Sequence, residues 1–124
     1  MHVGQAGTLR YMSPEQWLGK ICLKTDVWAF GCILLEFVTG RKPYHDLTED
    51  NYGVAIMHQI VAKQVTPMEY CRRKLLADYQ IVLDNPDLRE LLQKCFQHNY
   101  VKRPSAYVLR DDWFFKNTGS SDDY

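Results

Sequence analysis

This 124-residue chain lacks the features that mark several common classes of protein. It has no basic excess, because 15 Lys plus Arg balance 15 Asp plus Glu, and this argues against a nucleic-acid or anionic-membrane binder. Its longest apolar run, Val27 to Leu35, is far shorter than the roughly 20 residues that span a bilayer. Residues 1–7 lack a basic region followed by an apolar core, so we expect no signal peptide. We therefore expect no nucleic-acid partner and no membrane partner.

Closely spaced metal ligands and paired cysteines are also missing. The cysteines are Cys22, Cys32, Cys71 and Cys95, and no two have Cys-x-x-Cys spacing. The histidines are too scattered to complete a zinc cluster, so we expect no metal site. Reduced, mostly buried thiols are typical of a cytosolic or nuclear protein, and we expect a cytoplasmic, intracellular location.

The composition that is present is typical of a globular, mainly α-helical domain. Apolar residues make up 46% and charged residues 24% of the chain, so wholesale disorder is excluded. Periodicity and capping signals predict helices over 14–19, 25–39, 50–63, 86–98 and 105–115, and a further short helix near 75–83. The polar, acidic residues 117–124 are expected to be a disordered tail after a domain at 1–116.

The helix predicted at 25–39 is apolar around its whole circumference, which predicts burial on all sides. Thr25 and Asp26 are its candidate caps, and Gly40 is its stop signal. The next helix is predicted to bury one face, formed by Val54, Met57, Ile60 and Val61. The helix over 86–98 is predicted to bury a face formed by Leu88, Leu91, Leu92, Cys95 and Phe96.

Three stretches, taken in order, resemble the C-terminal lobe of a eukaryotic-type serine/threonine protein kinase. Residues 7–15 (GTLRYMSPE) resemble the end of the activation segment, and residues 26–32 (DVWAFGC) resemble the central helix of that lobe. Residues 102–105 (KRPS) resemble the turn before its last helices. The resemblance covers about residues 4–115 and implies an incomplete kinase-like fold, without the N-lobe and the catalytic loop.

The family's Gly-rich loop, ATP-contacting lysine, His-Arg-Asp loop and Asp-Phe-Gly loop are absent from this sequence. Residues 54–57 (VAIM) and 29–31 (AFG) imitate two of these motifs, but they lack the required lysine and aspartate. Phosphoryl transfer needs a nucleotide cradle, carboxylate-held Mg²⁺ and a base. We therefore expect no bound cofactor and no complete catalytic site here, although the complete family domain uses ATP and Mg²⁺ to phosphorylate protein Ser or Thr.

The resemblance implies that Gly7, Thr8, Tyr11 and Met12 contact the protein substrate. Thr8 matches the threonine that contacts the catalytic loop in the family, and the alternative is a loop hydroxyl bonded to a nearby amide. Tyrosine kinases typically carry Trp at the position of Tyr11, so the combination of Thr8 and Tyr11 favours serine/threonine specificity.

Structural roles are implied for Ser13, Pro14, Glu15, Asp26, Trp28, Gly31 and Arg103. In the family, the residues matching Glu15 and Arg103 form an ion pair, and the guanidinium fork suits bidentate binding of a carboxylate. Asp26 matches a residue that caps the catalytic loop, and an ordinary helix N-cap is the alternative. Trp28 matches a residue that packs beneath the activation segment.

Two other interpretations remain open at this point. The chain could be a non-catalytic, kinase-derived interaction module that binds protein partners, or an unrelated helical bundle. A protein substrate or a regulatory protein is the expected partner, and self-association through exposed apolar surface is expected because helices that cover the central helix in the family are missing. The basic run 72–74 (RRK) is either a docking patch or a solvated surface.

Overall fold

The computed structural model describes the backbone of residues 9–117 and the side chains of residues 9–111. A short 3₁₀ turn, Leu9–Tyr11, precedes seven α-helices in this range. The helices are α1 (Pro14–Trp17), α2 (Thr25–Thr39), α3 (Asp50–Met57), α4 (Pro67–Lys74), α5 (Leu76–Leu83), α6 (Pro86–Cys95) and α7 (Ala106–Asn117). A π-helical turn, His58–Ala62, continues α3, and the described residues include no β-strand. The predicted residues Gly7 and Thr8, and all but the first residue of the predicted tail at 117–124, lie outside the described residues.

Helix α2 has the bounds that the sequence predicts, but its N-terminal cap differs from the prediction. The residue before the helix is Lys24, which makes no side-chain capping bond, and Asp26 lies inside the first turn with an exposed side chain. The Thr25 hydroxyl accepts a hydrogen bond from the Cys22 amide at 3.1 Å. The prediction that Thr25 or Asp26 caps the helix is therefore wrong. Gly40 ends the helix in a left-handed conformation, with φ of +75°, as its position predicts.

One side of α2 forms the centre of the hydrophobic core, and the other side faces solvent. Trp28, Cys32 and Leu35 are buried against the helices α5 and α6, among others. Phe30, Ile33 and Phe37 are exposed, and they recur along one face of the helix. The prediction that α2 is buried on all sides is therefore wrong for the described structure. The exposed apolar surface that we expect from the missing segments is present as a strip on this helix.

The segment predicted as one helix over 50–63 contains two departures from α-geometry. Asn51, Tyr52 and Gly53 all have positive φ, which forms a left-handed turn before Val54. Gly53, Ile56 and Ile60 then occupy the buried face. Val54 is exposed and Met57 is only partly buried, whereas Val61 is partly buried and packs against the core. The predicted face is therefore right for Ile60 and Val61 and wrong for Val54.

Helix α4 was not predicted, although Thr66 accepts a hydrogen bond from the Glu69 amide at 3.0 Å and caps it. Helix α6 begins as predicted, with Asn85 capping the Leu88 amide at 3.2 Å. Its buried residues are Leu92 and Cys95, followed by Phe96, while Leu88 and Leu91 are partly buried.

Within the described residues, none of the helices combines the length and the apolar character that crossing a membrane requires. The basic run 72–74 is exposed, and it forms ion pairs with Glu69 and Asp46 of the same chain. These contacts favour the solvated-surface interpretation of that run.

Candidate functional site

The short helix α1 is built to hold one glutamate in a fixed position. Ser13 precedes it, and the Ser13 hydroxyl accepts from the Gln16 amide at 3.3 Å while the Gln16 side chain accepts from the Ser13 amide at 3.4 Å. Pro14 occupies the first helical position, where a proline is pre-organised for a helix. Glu15 follows in the first turn, and it is one of the few buried charged residues in the described structure.

Glu15 and Arg103 form a bidentate ion pair in the interior. Arg103 Nη1 lies 2.8 Å from Glu15 Oε2, and Nη2 lies 2.9 Å from Oε1. The exposed fraction is 0% for Arg103 and 4% for Glu15. The Thr25 hydroxyl donates a further hydrogen bond to Glu15 Oε2 at 3.0 Å. The ion pair that the sequence predicts is therefore present, with a third partner that it did not predict.

Arg103 makes further contacts with the backbone of two segments. Its Nε donates to the Gln97 carbonyl at 3.0 Å, and its Nη1 donates to the Lys24 carbonyl at 2.9 Å. Its guanidinium also lies 5.2 Å from the ring of Trp28, which is a cation–π distance. One arginine thus joins α1, the start of α2 and the turn before α7.

The electrostatics of the pair favour the charged form of Glu15. Burial alone would raise the pKa of this carboxyl, but hydrogen bonds from Arg103, from its own backbone amide and from Ser13 lower it. Together with the positive charge of Arg103, they bring the pKa of Glu15 to about 2. The pair therefore remains ionised at neutral pH.

Trp28 and Gly31 fix the position of α2 through close packing against neighbouring residues. Trp28 is fully buried and packs edge-to-face on Phe96, with ring centroids 5.1 Å apart. At Gly31, an added Cβ would lie 2.6 Å from the Cβ of Cys95. Helices α2 and α6 can therefore approach this closely only with glycine at position 31.

The turn Leu9–Tyr11 precedes α1 in the chain, and Arg10 binds this turn to the segment after α2. Arg10 donates to the carbonyls of Tyr44 at 2.7 Å and Leu47 at 2.6 Å, and its Nε lies 2.9 Å from the Glu49 carboxylate. Sequence reasoning assigned no role to Arg10, because a single arginine in a loop gives no periodic signal.

Tyr11 connects the same turn to the last turn of α2. Its hydroxyl donates a hydrogen bond to Glu36 Oε1. Burial and the neighbouring carboxylate of Glu36 raise the pKa of Tyr11 above its usual range, so the phenol stays protonated at neutral pH. Met12, the next predicted residue of the substrate contact, is partly buried, and its amide donates to the Leu9 carbonyl at 3.3 Å. Tyr11 and Met12 are thus held in place shortly before Glu15 of the ion pair, whereas Gly7 and Thr8 lie outside the described residues.

The side chains of residues 9–111, which the structure describes, do not fit a magnesium–nucleotide site. Among the side chains that the structure describes, no group of three His, Cys, Asp or Glu residues lies close enough to hold a metal ion. Asp26 is exposed at the start of α2, and residues 29–31 and 54–57, which imitate kinase motifs, lie inside helices. We therefore assign no chemical step to this chain through ATP or Mg²⁺.

The buried ion pair joins two segments whose sequences resemble kinase motifs, and a family comparison supports the same identification. A model of the protein kinase domain matches residues 3–115. The chain belongs to the protein kinase family. Because this kinase chain carries the motifs of the lower part of the C-lobe and lacks those of the nucleotide site, it is a partial kinase domain.

Curated relatives support the family assignment. The chain is 38% identical over 101 residues to a putative mitogen-activated protein kinase kinase kinase 7-like protein of Drosophila melanogaster. The match covers 80% of this chain and 23% of that protein. It is 30% identical over 112 residues to an Aurora kinase of Schizosaccharomyces pombe, covering 89% of this chain and 27% of that kinase. It is 31% identical over 109 residues to the serine/threonine-protein kinase WNK of Caenorhabditis elegans, and the match covers 88% of this chain and 5% of that kinase. The chain thus spans about a quarter or less of the length of these kinases.

Proposed function

We propose that this chain supplies the substrate-proximal part of the C-lobe of a protein kinase that phosphorylates Ser or Thr in proteins. The observation that carries the proposal is the anchored segment 9–15. Tyr11 is bonded to Glu36 of α2, and Glu15 is bonded to Arg103 before α7. A segment held at both ends in this way is suited to fixing the backbone next to a protein substrate.

Serine/threonine specificity rests on Tyr11 and on Thr8, three positions earlier in the sequence. One relative, from Caenorhabditis elegans, is named a serine/threonine-protein kinase, and this supports the proposed specificity. In the complete protein, ATP and Mg²⁺ would be bound by residues that this sequence does not contain. The 124-residue chain by itself is therefore proposed to lack phosphotransferase activity.

A cytoplasmic location completes the proposal. The four cysteines are free in the structure, and Cys32, Cys71 and Cys95 are buried. Free thiols of this kind are typical of a reducing compartment.

The test compares the 124-residue chain with a longer polypeptide encoded by the same transcript. Both are incubated with radiolabelled MgATP and a casein substrate, and the phosphorylated amino acids are identified. We expect phosphoserine or phosphothreonine from a longer polypeptide that contains His-Arg-Asp and Asp-Phe-Gly motifs, and no transfer by the short chain. Phosphotyrosine alone, or transfer by the short chain, would contradict the proposal.

The alternative function is a non-catalytic, kinase-derived module that binds protein partners, a second copy included. The exposed strip Phe30, Ile33 and Phe37 on α2 favours it, since contiguous apolar surface marks interaction sites. A stop codon immediately upstream of Met1 in the transcript would favour this module over the kinase. An open reading frame with the catalytic motifs would favour the kinase.

A further inference from the structure

The loop between α1 and α2 carries large apolar side chains on its outer surface. Ile21 is 81% exposed, Leu23 is 93% exposed, and Leu18 is exposed as well. Surface loops ordinarily present polar side chains, and apolar ones gathered in one place mark an interaction surface. Neither the ion pair nor the proposed kinase function requires these three side chains.

The loop is held at both ends by the two residues of the ion pair, through the backbone carbonyl of Glu15 and the guanidinium of Arg103. At its start, the Glu15 carbonyl accepts hydrogen bonds from the Leu18 amide at 3.1 Å and the Lys20 amide at 2.8 Å. At its end, the Lys24 carbonyl accepts from Arg103 Nη1 at 2.9 Å. The two ends are therefore held close together, and the residues between them project from the surface in a defined place.

Val101 extends this apolar surface from a second segment. The Lys24 ammonium donates to the Val101 carbonyl at 3.1 Å, which ties the loop to the turn before Arg103. The Val101 side chain is also exposed. Leu18, Ile21, Leu23 and Val101 are referred to below as the loop surface.

The charges that flank the loop surface are basic. Lys20 and Lys102 are exposed, and Lys24 is partly exposed. Residues 18–24 contain no acid, and the nearest exposed acid along the chain is Asp26, in the first turn of α2. A partner that combines acidic and apolar groups would complement both properties of the surface.

From this combination we propose that the loop surface binds an acidic protein segment that carries large apolar residues between its Asp and Glu residues. The apolar side chains project outward, so the partner supplies the pockets that receive them. A protein segment is favoured over an anionic bilayer because the chain has no net positive charge to attract it to a membrane.

The test uses a short fluorescein-labelled peptide in which Asp or Glu alternates with Leu or Phe, added to the 124-residue chain. We expect a saturable rise in fluorescence anisotropy that weakens with added salt. Leu23→Ser should weaken binding about tenfold, as expected for one lost apolar contact, and Lys20→Glu should weaken it as well. The matched controls Leu76→Ser and Lys63→Glu change exposed residues elsewhere and should leave binding unchanged.

Three results would overturn the proposal. The first is an absence of saturable binding by the peptide. The second is equal loss of binding in Leu23→Ser and in Leu76→Ser. The third is binding to phosphatidylserine vesicles that Leu23→Ser abolishes, without any binding of the peptide, because the loop surface would then recognise a membrane. Circular dichroism spectra of all four variants identify any variant that fails to fold.

Discussion

Glu15 and Arg103 are 88 positions apart in the sequence and form a bidentate ion pair from which water is excluded. The pair joins helix α1, at the end of the segment 9–15, to the turn that precedes α7. Each buried charge is compensated by the other. The two segments therefore cannot separate without leaving a charge buried and unpaired or exposing it to solvent. The pair thus fixes the geometry of the kinase-like segment even though the nucleotide site is missing from this chain.

Removal of Arg103 tests the energetic role of the pair. Arg103→Ala leaves Glu15 buried without its partner, so we expect the free energy of unfolding to fall by about 3–5 kcal/mol. Arg103→Lys keeps the charge but loses the bidentate fork, so it should lower the free energy of unfolding by less than Arg103→Ala does. Urea denaturation measures both. The control is Arg41→Ala, which removes an exposed pair with Asp78 worth at most about 1 kcal/mol. Equal losses in Arg103→Ala and Arg41→Ala would contradict the prediction.

The pH dependence of stability gives a second test of the pair. The pKa of Glu15 falls from an ordinary 4.5 to about 2 on folding, so the unfolded state binds the proton more readily. The stabilisation by Glu15 is therefore fully present above its unfolded pKa, and it is lost as the pH falls from about 4.5 towards 2. We expect the stability difference between the natural chain and Glu15→Gln to shrink over this range. A difference that stays constant down to pH 3 or so would show that Glu15 is not the titrating group.

The end of α2 and the start of α6 could be predicted from the sequence because local signals define them. Gly40 supplies the left-handed residue that ends α2, and Asn85 with Pro86 begins α6. The ion pair was predicted from the family resemblance, since nothing local in the sequence connects Glu15 with Arg103. Helix α4 could have been found from Thr66, Pro67 and Glu69, which form an ordinary N-terminal signal.

Other features could not be read from local patterns because they depend on tertiary contacts. The composition of α2 predicts burial on all sides, yet whether Phe37 is covered depends on which segments pack beside it, and here it is 84% exposed. The buried face at 53–60 is rotated from the predicted one because the left-handed turn at Asn51–Gly53 precedes the helix. The anchoring role of Arg10 likewise depends on carbonyl groups that are 33 to 37 positions away in the sequence.

Because α2 and α6 approach closely, we expect one glycine-to-alanine substitution to destabilise the fold instead of stabilising it. Replacing a helical glycine by alanine ordinarily stabilises a helix by about 1 kcal/mol. At Gly31 the new Cβ would lie 2.6 Å from the Cβ of Cys95, so we expect Gly31→Ala to destabilise the fold by about 1–3 kcal/mol. Ala29→Gly in the same helix measures the propensity effect alone. Stabilisation by Gly31→Ala in thermal or urea unfolding would show that the helices are further apart.

The exposed strip on α2 predicts self-association of the isolated chain. Phe30, Ile33 and Phe37 lie on one face in contact with solvent, and burial of such side chains on a second copy is favourable. Sedimentation velocity should show concentration-dependent dimers or larger species. Phe37→Ser should shift the distribution towards monomer, while Leu76→Ser, on the surface of α5, should not. A monomer of the natural chain at all concentrations would contradict the prediction.

Titration of the purified 124-residue chain with MgATP tests the central claim most directly, because the account assigns the substrate-proximal anchor to this chain and the nucleotide site to residues that its sequence does not contain. Isothermal calorimetry should show no saturable heat, and the thermal unfolding midpoint should not rise with MgATP. Saturable 1:1 binding with a micromolar dissociation constant, lost when Mg²⁺ is chelated, would contradict the account.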